Sequence, residues 1–390
     1  MIDLEAVRAE TPGCHRLVFL DSAGSSLPPQ RVVDTQVAHL RREAEIGGYA
    51  AAAERADDVS ALGPAIERLL GADTDTVALT DSATRAWNQF VSVLPWRPGD
   101  RVAITATEYA SNAISLLQRR GIDGITVEVV PSDSSGRVDL SALESMLDDR
   151  VRLVSLVHAP THNGLVNPVR EVVRLAHEHG ALVLLDACQS AGQIAIDVAD
   201  LGVDALSASG RKWLRGPRGT GFLYVRPGLL TTLSPRGMDM RGATWTGPET
   251  YETHVGARRF ELWEADVAAR LGLASAVDLL LELGPREVEE AVRARSQGLR
   301  DRLRPLAGVQ VRDGDGDLSG IVTFTVQGLD PLEVKRRLAD DGVVVSVSHA
   351  ASTLLDMAAR GLDSVVRASP HYFVSDDQLD AAAAAVSRLV

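Results

Sequence analysis

Short apolar segments alternate with longer amphipathic ones between residues 73 and 226. The apolar segments predict strands at residues 101–105, 125–130, 151–157, 181–186, 205–209 and 221–225. A helical period predicts helices at residues 83–94, 111–120, 139–147 and 168–179. Because the strands are apolar almost throughout, we expect helices to cover both faces of their sheet. The pattern therefore predicts an α/β fold with a mostly parallel sheet sandwiched by helices.

The pattern changes after residue 227. Residues 229–255 are rich in Gly, Thr, Met and Pro and show no clear period, and a long helical region at 264–303 is interrupted near Gly284 and Pro285. The remainder predicts strands at 320–326, 343–348 and 365–369, with helices at 331–341 and 376–390. We expect a large domain at residues 15–260 and a smaller α+β domain built from residues 1–14 and 261–390.

Charge and cysteine content narrow the possible partners. A net charge of -13 over 390 residues argues against nucleic-acid binding, which normally needs a basic face. Cys14 and Cys188 are far apart and give neither a disulfide framework nor a metal-ligand pattern, so we expect a reducing, cytoplasmic location. No apolar run approaches the roughly 20 residues that cross a bilayer, and no signal peptide is visible. A small molecule is the expected partner.

A lysine follows the predicted strand 205–209 directly, in the segment Ser209-Gly-Arg-Lys212. Ligands of layered α/β folds bind beyond the carboxyl ends of the strands. Desolvation of an amine in such a place favours its neutral, nucleophilic form, which suits Schiff-base chemistry. Ser209 and Arg211 offer a hydroxyl and a guanidinium to a phosphate. On these residues alone, a basic surface turn before a strand is the favoured interpretation.

Polar side chains also follow three other predicted strands. Asp186 ends strand 181–186 and precedes Gln189; a buried acid needs a cationic partner such as a protonated pyridine nitrogen, or else it caps a helix. The segment Ser82-Ala83-Thr84 begins a helix, where N–H groups offer an anion site or simply a capped start. Tyr109 follows strand 101–105 and offers a ring for stacking on a planar ligand, or for ordinary packing.

The order and spacing of these segments resemble the class V aminotransferase family of fold-type I pyridoxal-5'-phosphate (PLP) enzymes, which includes cysteine desulfurases and isopenicillin N epimerase. The likeness runs from Leu20-Asp-Ser-Ala-Gly24 to Arg367-Ala-Ser-Pro-His371. It implies a fold-type I PLP-dependent transferase fold, with PLP bound as a Schiff base to Lys212. It also implies a homodimer with the active site at the subunit interface. Arg211 stands where the family usually has His.

The resemblance implies a role for each matching residue. Catalysis is expected from Lys212, Asp186 and Tyr109, and binding of the substrate carboxylate from Arg367. Cofactor contacts are expected from Ser82, Ala83, Thr84, Thr161, Asp186, Gln189, Ser209, Arg211, Lys212, Thr244 and Thr246. Substrate contacts are expected from Arg367, Tyr109 and Trp245; the segment around Trp245 is expected to reach the neighbouring subunit's site.

Within the family, segments such as Glu108-Tyr109 and Arg211-Lys-Trp-Leu-Arg-Gly-Pro-Arg-Gly219 look most like the C–S lyases of ergothioneine biosynthesis. This likeness implies β-elimination from a cysteine conjugate or its sulfoxide, with release of pyruvate and ammonia. An aminotransferase, or an epimerase of the isopenicillin N epimerase type, would use the same lysine and stays the alternative. Residues 348–353 hold no cysteine where cysteine desulfurases carry theirs, so we predict that the chain is not a persulfide-forming cysteine desulfurase.

Overall fold

The computed structural model describes residues 2–390. Its strands are β1 (Val18–Phe19), β2 (Val77–Thr80), β3 (Arg101–Thr105), β4 (Thr126–Val130), β5 (Val151–Val157), β6 (Leu182–Asp186), β7 (Ala205–Ser209), β8 (Gly221–Val225), β9 (Ala243–Gly247), β10 (Thr250–Thr253), β11 (Val309–Val311), β12 (Val322–Val326), β13 (Val343–Val344), β14 (Ser346–His349) and β15 (Ser364–Ala368).

The α-helices are α1 (Leu4–Ala9), α2 (Ser22–Ser25), α3 (Gln30–Ile46), α4 (Gly48–Glu54), α5 (Ala56–Leu70), α6 (Ala83–Val93), α7 (Ala110–Asp123), α8 (Leu140–Met146), α9 (Val169–Glu178), α10 (Val198–Leu201), α11 (Pro227–Leu230), α12 (Val267–Leu283), α13 (Pro285–Leu303), α14 (Pro331–Asp340), α15 (Leu354–Ala359) and α16 (Asp376–Ser387). Short 3-10 helices span Pro12–His15, Ala257–Phe260 and Ala350–Ser352. No helix among residues 2–390 is both long and apolar enough to cross a membrane.

Seven strands form the central sheet, in the order β2-β8-β7-β6-β5-β3-β4. Strands β3 to β7 run parallel, and β8 runs antiparallel to its neighbours β2 and β7. Leu184 packs into the apolar core on one face of this sheet, whereas Val183 and Leu185 pack into the core on the other face. Alternate residues of a strand point to opposite faces, so helices bury both faces. The predicted α/β architecture is confirmed.

A second, four-stranded sheet in the order β11-β12-β15-β14 is antiparallel and belongs to the C-terminal part. Helices α13 and α14 pack against it, and α16 packs against these two helices, as expected for an α+β region. The N-terminal strand β1 pairs in parallel with β13, which brings the segment after β1 next to β15. The division at residues 14 and 260 stays a prediction.

Helices α12 and α13 meet at Gly284, whose φ of 86° is in the range that favours glycine. The predicted interruption of the long helical region is therefore confirmed. Residues 229–255, which show no period, form a β-hairpin of β9 and β10 with an irregular register. Helices α3 to α5 were not among the predicted elements; α3 and α5 pack against α12.

Candidate active site

A cavity of about 210 Å³ lies where the carboxyl ends of β3, β5, β6 and β7 meet. Ten of the predicted site residues line it: Ser82, Ala83, Thr84, Tyr109, Thr161, Asp186, Gln189, Ser209, Arg211 and Lys212. They come from segments that are distant in sequence and follow different strands. The topology of the sheet brings them together, because its parallel strands end at the same edge.

Lys212 and Lys335 are the two lysines of the chain. Lys335 lies exposed on α14, whereas Lys212 is half-buried and lines the cavity. A side chain on Gly210 would place its Cβ 2.2 Å from the Thr220 hydroxyl, so glycine permits the tight turn that leads from β7 to Lys212. The alternative of an exposed surface turn is wrong for this lysine.

Asp186 lies at the end of β6 and is buried. Its Oδ1 accepts a hydrogen bond from the Cys188 amide at 2.9 Å, and its Oδ2 accepts one from Asn112 Nδ2 at 2.9 Å. The residues after Asp186 form turns, and the next helix is α10. Asp186 is therefore not a helix cap, and its carboxylate faces the cavity.

The N-terminus of α6 forms another wall of the cavity. Ser82 caps this helix by accepting a hydrogen bond from the Arg85 amide at 3.2 Å, and the Ala83 amide donates to Ser209 Oγ at 3.3 Å. A Cβ on Gly221 would lie 2.8 Å from the Ser82 carbonyl carbon, so glycine lets β8 pass close to the helix start. The N–H groups at the start of α6 and the hydroxyls of Ser82 and Ser209 lie at one wall of the cavity, and a helix start of this kind favours an anion such as phosphate. Arg211 also lines the cavity, and its Nη1 donates to the Gly24 carbonyl.

Arg367 lies behind Thr161 and is buried. Its Nη1 donates to Thr161 Oγ1 at 2.6 Å, and its Nη2 contacts Asp21 Oδ1 at 3.2 Å. Burial lowers the pKa of Arg367 while Asp21 opposes this effect, and burial raises the pKa of Asp21. Because arginine stays charged in proteins, the site keeps a buried cation on the side of Thr161. Arg367 Nε has no hydrogen-bond partner within residues 2–390.

Gln189 lines the cavity, but its side chain is already engaged. Its amide nitrogen donates to the Ala23 carbonyl at 3.0 Å and to Thr161 Oγ1 at 3.1 Å, and its oxygen accepts from Trp213 Nε1 at 2.9 Å. These contacts tie the wall formed by Thr161 to the turn that carries Lys212. The expected contact of Gln189 with the cofactor stays a prediction.

Thr244, Trp245 and Thr246 do not line this cavity. They lie on the β9–β10 hairpin, and 79% of the Trp245 surface is exposed. Within one chain the hairpin therefore contributes nothing to the site, so the expected contacts of these residues stay a prediction that needs a second subunit.

Several cavity residues were not predicted from the sequence. Asn112, in the first turn of α7, lines the cavity, and its Nδ2 donates at 2.9 Å to Oε1 of Glu108, which lies four residues earlier and does not line the cavity. Cys188, two residues after Asp186, lines the cavity, as does Thr353, whose buried hydroxyl has no partner within residues 2–390. The four-residue spacing between Glu108 and Asn112 was the one feature of the sequence that could have indicated their contact.

The match to the model for class V aminotransferases covers residues 18–381. The chain belongs to the class V aminotransferase family. It is 31% identical to a probable cysteine desulfurase of Halobacterium salinarum, over 99% of this chain and 96% of the relative. It is 33% identical to a probable hercynylcysteine sulfoxide lyase of Mycobacterium tuberculosis, over 98% of this chain and 91% of the relative.

Solved structures show the same fold. The apo cysteine desulfurase of Thermococcus onnurineus NA1 superposes with a TM-score of 0.91 at 24% identity, covering 100% of this chain and 98% of that one. A cystine C–S lyase, C-DES, in complex with cysteine persulfide, has a TM-score of 0.88 at 24% identity, with 97% and 99% covered. At this identity the likeness establishes the fold-type I architecture.

The chain is therefore a PLP-dependent carbon–sulfur lyase of the class V family. The cavity suits the cofactor, because it combines an anion site, an acid at the end of a buried strand and a lysine. Lys212, Asp186 and the start of α6 would hold PLP, which would supply an electron sink for the substrate.

The predicted exclusion of cysteine desulfurases is wrong, and with it the assignment to the ergothioneine pathway with pyruvate and ammonia as products. Most of the similar proteins found in the comparison are named cysteine desulfurases. Two of the similar solved structures, from Thermococcus onnurineus NA1 and Escherichia coli, carry the same name. The exclusion relied on the lack of a cysteine in residues 348–353. The structure weakens this argument, because Cys188 lines the cavity although it lies far from residues 348–353 in the sequence.

Proposed function

We propose that this enzyme cleaves the carbon–sulfur bond of L-cysteine. The observation that carries the proposal is the convergence of Lys212, Asp186 and the α6 anion site in one cavity, with the cation of Arg367 behind Thr161. Names of relatives support the substrate, because cysteine desulfurases dominate the comparison. Bound PLP supplies an electron sink that weakens bonds at the substrate's Cα and, through it, at Cβ.

The chain's own residues supply position and proton transfer. Arg367 binds the carboxylate of the amino acid, since a guanidinium forms two parallel hydrogen bonds with a carboxylate. Lys212 takes the proton from Cα and returns it later as a general acid. Asp186, held by the Cys188 amide and by Asn112, would keep the ring nitrogen of bound PLP protonated. Tyr109, which lines the cavity and is 37% exposed, would offer its ring for stacking.

The proposed reaction balances with one thiol as co-substrate. L-cysteine and a thiol give alanine and a persulfide. The Cβ–S bond breaks, Cβ keeps the two bonding electrons and takes up a proton, and the sulfur atom forms a new bond to the sulfur of the acceptor thiol. The acceptor thiol is either Cys188 or a thiol from solution, and these two routes differ in a measurable way. Cys188 Sγ lies 3.4 Å from Ser209 Oγ.

The test is incubation of the holoenzyme with L-cysteine and dithiothreitol, followed by measurement of alanine and sulfide. We expect the two products in equal amounts; formation of pyruvate without alanine would refute desulfuration. A Cys188→Ser variant and its matched control Cys14→Ser, whose thiol is buried away from the cavity, distinguish the routes. Transfer through Cys188 predicts a 32 Da adduct on that residue without dithiothreitol and a loss of activity only in Cys188→Ser.

We also propose that the protein works as a homodimer. Large apolar side chains are exposed near the β9–β10 hairpin: Trp245, Tyr251 and Val255 are exposed by 79%, 61% and 81%. A surface of this kind on a single chain favours burial against a partner. A second copy would give the hairpin threonines, Thr244 and Thr246, a phosphate to bind, which one chain alone does not offer them.

A further inference from the structure

A buried carboxylate, Glu108, lies behind the cavity and does not line it. Its Oε1 accepts hydrogen bonds from the Tyr109 amide at 2.8 Å and from Asn112 Nδ2 at 2.9 Å. Its Oε2 accepts one from Ser155 Oγ, on β5, at 2.7 Å. Three donors on one acid are suited to a negative charge rather than to a neutral carboxyl.

One amide connects Glu108 to the proposed partner of the ring nitrogen. Asn112 Nδ2 donates to Glu108 Oε1 and to Asp186 Oδ2, each at 2.9 Å. An amide nitrogen carries two N–H groups, so Asn112 serves both carboxylates at once. The contact fixes the orientation of Asn112 and holds one oxygen of Asp186, while the Cys188 amide holds the other.

The elements packed around Glu108 place one other ionisable carboxylate in this network. Strand β5 contributes Ser155 and α7 contributes Asn112, both neutral, whereas the end of β6 contributes Asp186. Burial raises the pKa of Glu108 to about 7; the hydrogen bonds from Ser155 and Asn112 oppose the rise and Asp186 adds to it. Glu108 therefore changes its charge near neutral pH, and only the side-chain amide of Asn112 lies between it and Asp186.

We propose that Glu108 is a positioning residue that acts through Asn112 and Asp186 to keep the cofactor's ring nitrogen protonated. An ionised Glu108 adds negative charge behind Asp186, and a nearby negative charge favours the protonated form of a base. The proposal rests on the proposed role of Asp186. It assigns Glu108, which does not line the cavity, a part in holding the charge of the ring nitrogen.

The test compares wild-type protein with Glu108→Gln. Glutamine preserves the contacts, because its oxygen can accept from Tyr109 and Asn112 while its NH₂ donates to the Ser155 hydroxyl. The readout is the ¹⁵N NMR shift of ring-labelled PLP bound to each protein, followed from pH 5 to 9. We expect the ring nitrogen to lose its proton about one pH unit lower in Glu108→Gln than in wild type, and the dissociation constant of PLP to rise.

The matched control is Glu67→Gln. Glu67 is also buried with a raised pKa, but it accepts from the Thr76 and Val77 amides at the start of β2, away from the cavity. This variant should titrate like wild type. Identical ring-nitrogen titrations in Glu108→Gln, Glu67→Gln and wild type would overturn the proposal.

A second variant, Asn112→Leu, keeps Glu108 but removes the connecting amide. It should reproduce the shift seen in Glu108→Gln, and a wild-type titration in this variant would also overturn the proposal. Thermal melting of each apo-protein checks folding. The readout requires bound PLP and no turnover, so failure of the cysteine reaction in wild type leaves this test intact.

Discussion

Individual side chains of the site are held by short chains of hydrogen bonds. Asp186 accepts from two donors, Glu108 accepts from three, and Arg367 contacts Asp21 and Thr161. Buried charges without partners cost several kcal/mol. The network therefore fixes the orientation of each side chain before a ligand binds.

Replacing Asp186 by Ala should reduce turnover of cysteine by at least about 100-fold, because the variant lacks the oriented carboxylate that is proposed to face the ring nitrogen of the cofactor. The anion site at α6 is untouched, so we expect the variant still to bind PLP. Steady-state kinetics and the absorbance of bound cofactor check both statements. Turnover near the wild-type rate would refute the role of Asp186.

Glu108 should make stability depend on pH. Its pKa is about 7 in the folded protein against an ordinary 4.5, so the folded state binds this proton more tightly than the unfolded state. The contribution is complete below about pH 4.5 and is lost as the pH rises through 7, by about 3 kcal/mol in all. Urea unfolding of the apo-protein at pH 5.5 and 8 should show about 2 kcal/mol of this loss in wild type but not in Glu108→Gln. Equal pH dependence of the two proteins would contradict the assignment.

The sequence allowed prediction of residues that follow strands directly. Lys212, Asp186 and the start of α6 lie in the cavity because each follows a strand of the same sheet. Asn112 and Glu108 were missed, since their importance comes from a hydrogen bond to Asp186, 74 positions later in the chain. Cys188 was set aside because it lies outside residues 348–353, but a position in the sequence does not show which cavity a side chain faces.

Among the strands, the central sheet could be predicted from the sequence, whereas the β9–β10 hairpin and β1 could not. The predicted strands of the central sheet agree with the structure because their apolar residues are buried on both faces. The hairpin β9–β10 could not be predicted, since its residues are largely exposed and lack an alternating pattern. Strand β1 was missed for a related reason: it has two residues, and its partner β13 is more than 300 positions away.

Gly221→Ala should separate β8 from the start of α6. The new Cβ would lie 2.7 Å from the Ala208 carbonyl oxygen and 2.8 Å from the Ser82 carbonyl carbon, and backbone atoms must move to relieve this. We expect a loss of about 1–3 kcal/mol in the free energy of unfolding and weaker binding of PLP. Gly121→Ala on α7, with nothing within 4 Å of its Cβ, is the control and should be neutral or stabilising by up to about 1 kcal/mol. Unchanged PLP affinity in Gly221→Ala would contradict the account of the anion site.

For the whole molecule, the exposed hairpin predicts association of two chains. Sedimentation equilibrium should give twice the 41.6 kDa of one chain, and Trp245→Asp should shift the equilibrium towards monomer because a charge would be buried in the interface. Leu332→Asp, at an exposed position on α14, is the control and should leave the dimer intact. A monomeric wild-type protein at micromolar concentration would refute the dimer.

The central claim is that the cofactor is attached at the end of β7. Because the chain has only two lysines, Lys212 and Lys335, one measurement separates the possibilities. The holoenzyme is reduced with borohydride, digested and mapped by mass spectrometry. The account predicts a phosphopyridoxyl group on Lys212; modification of Lys335 instead, or of neither lysine, would contradict it.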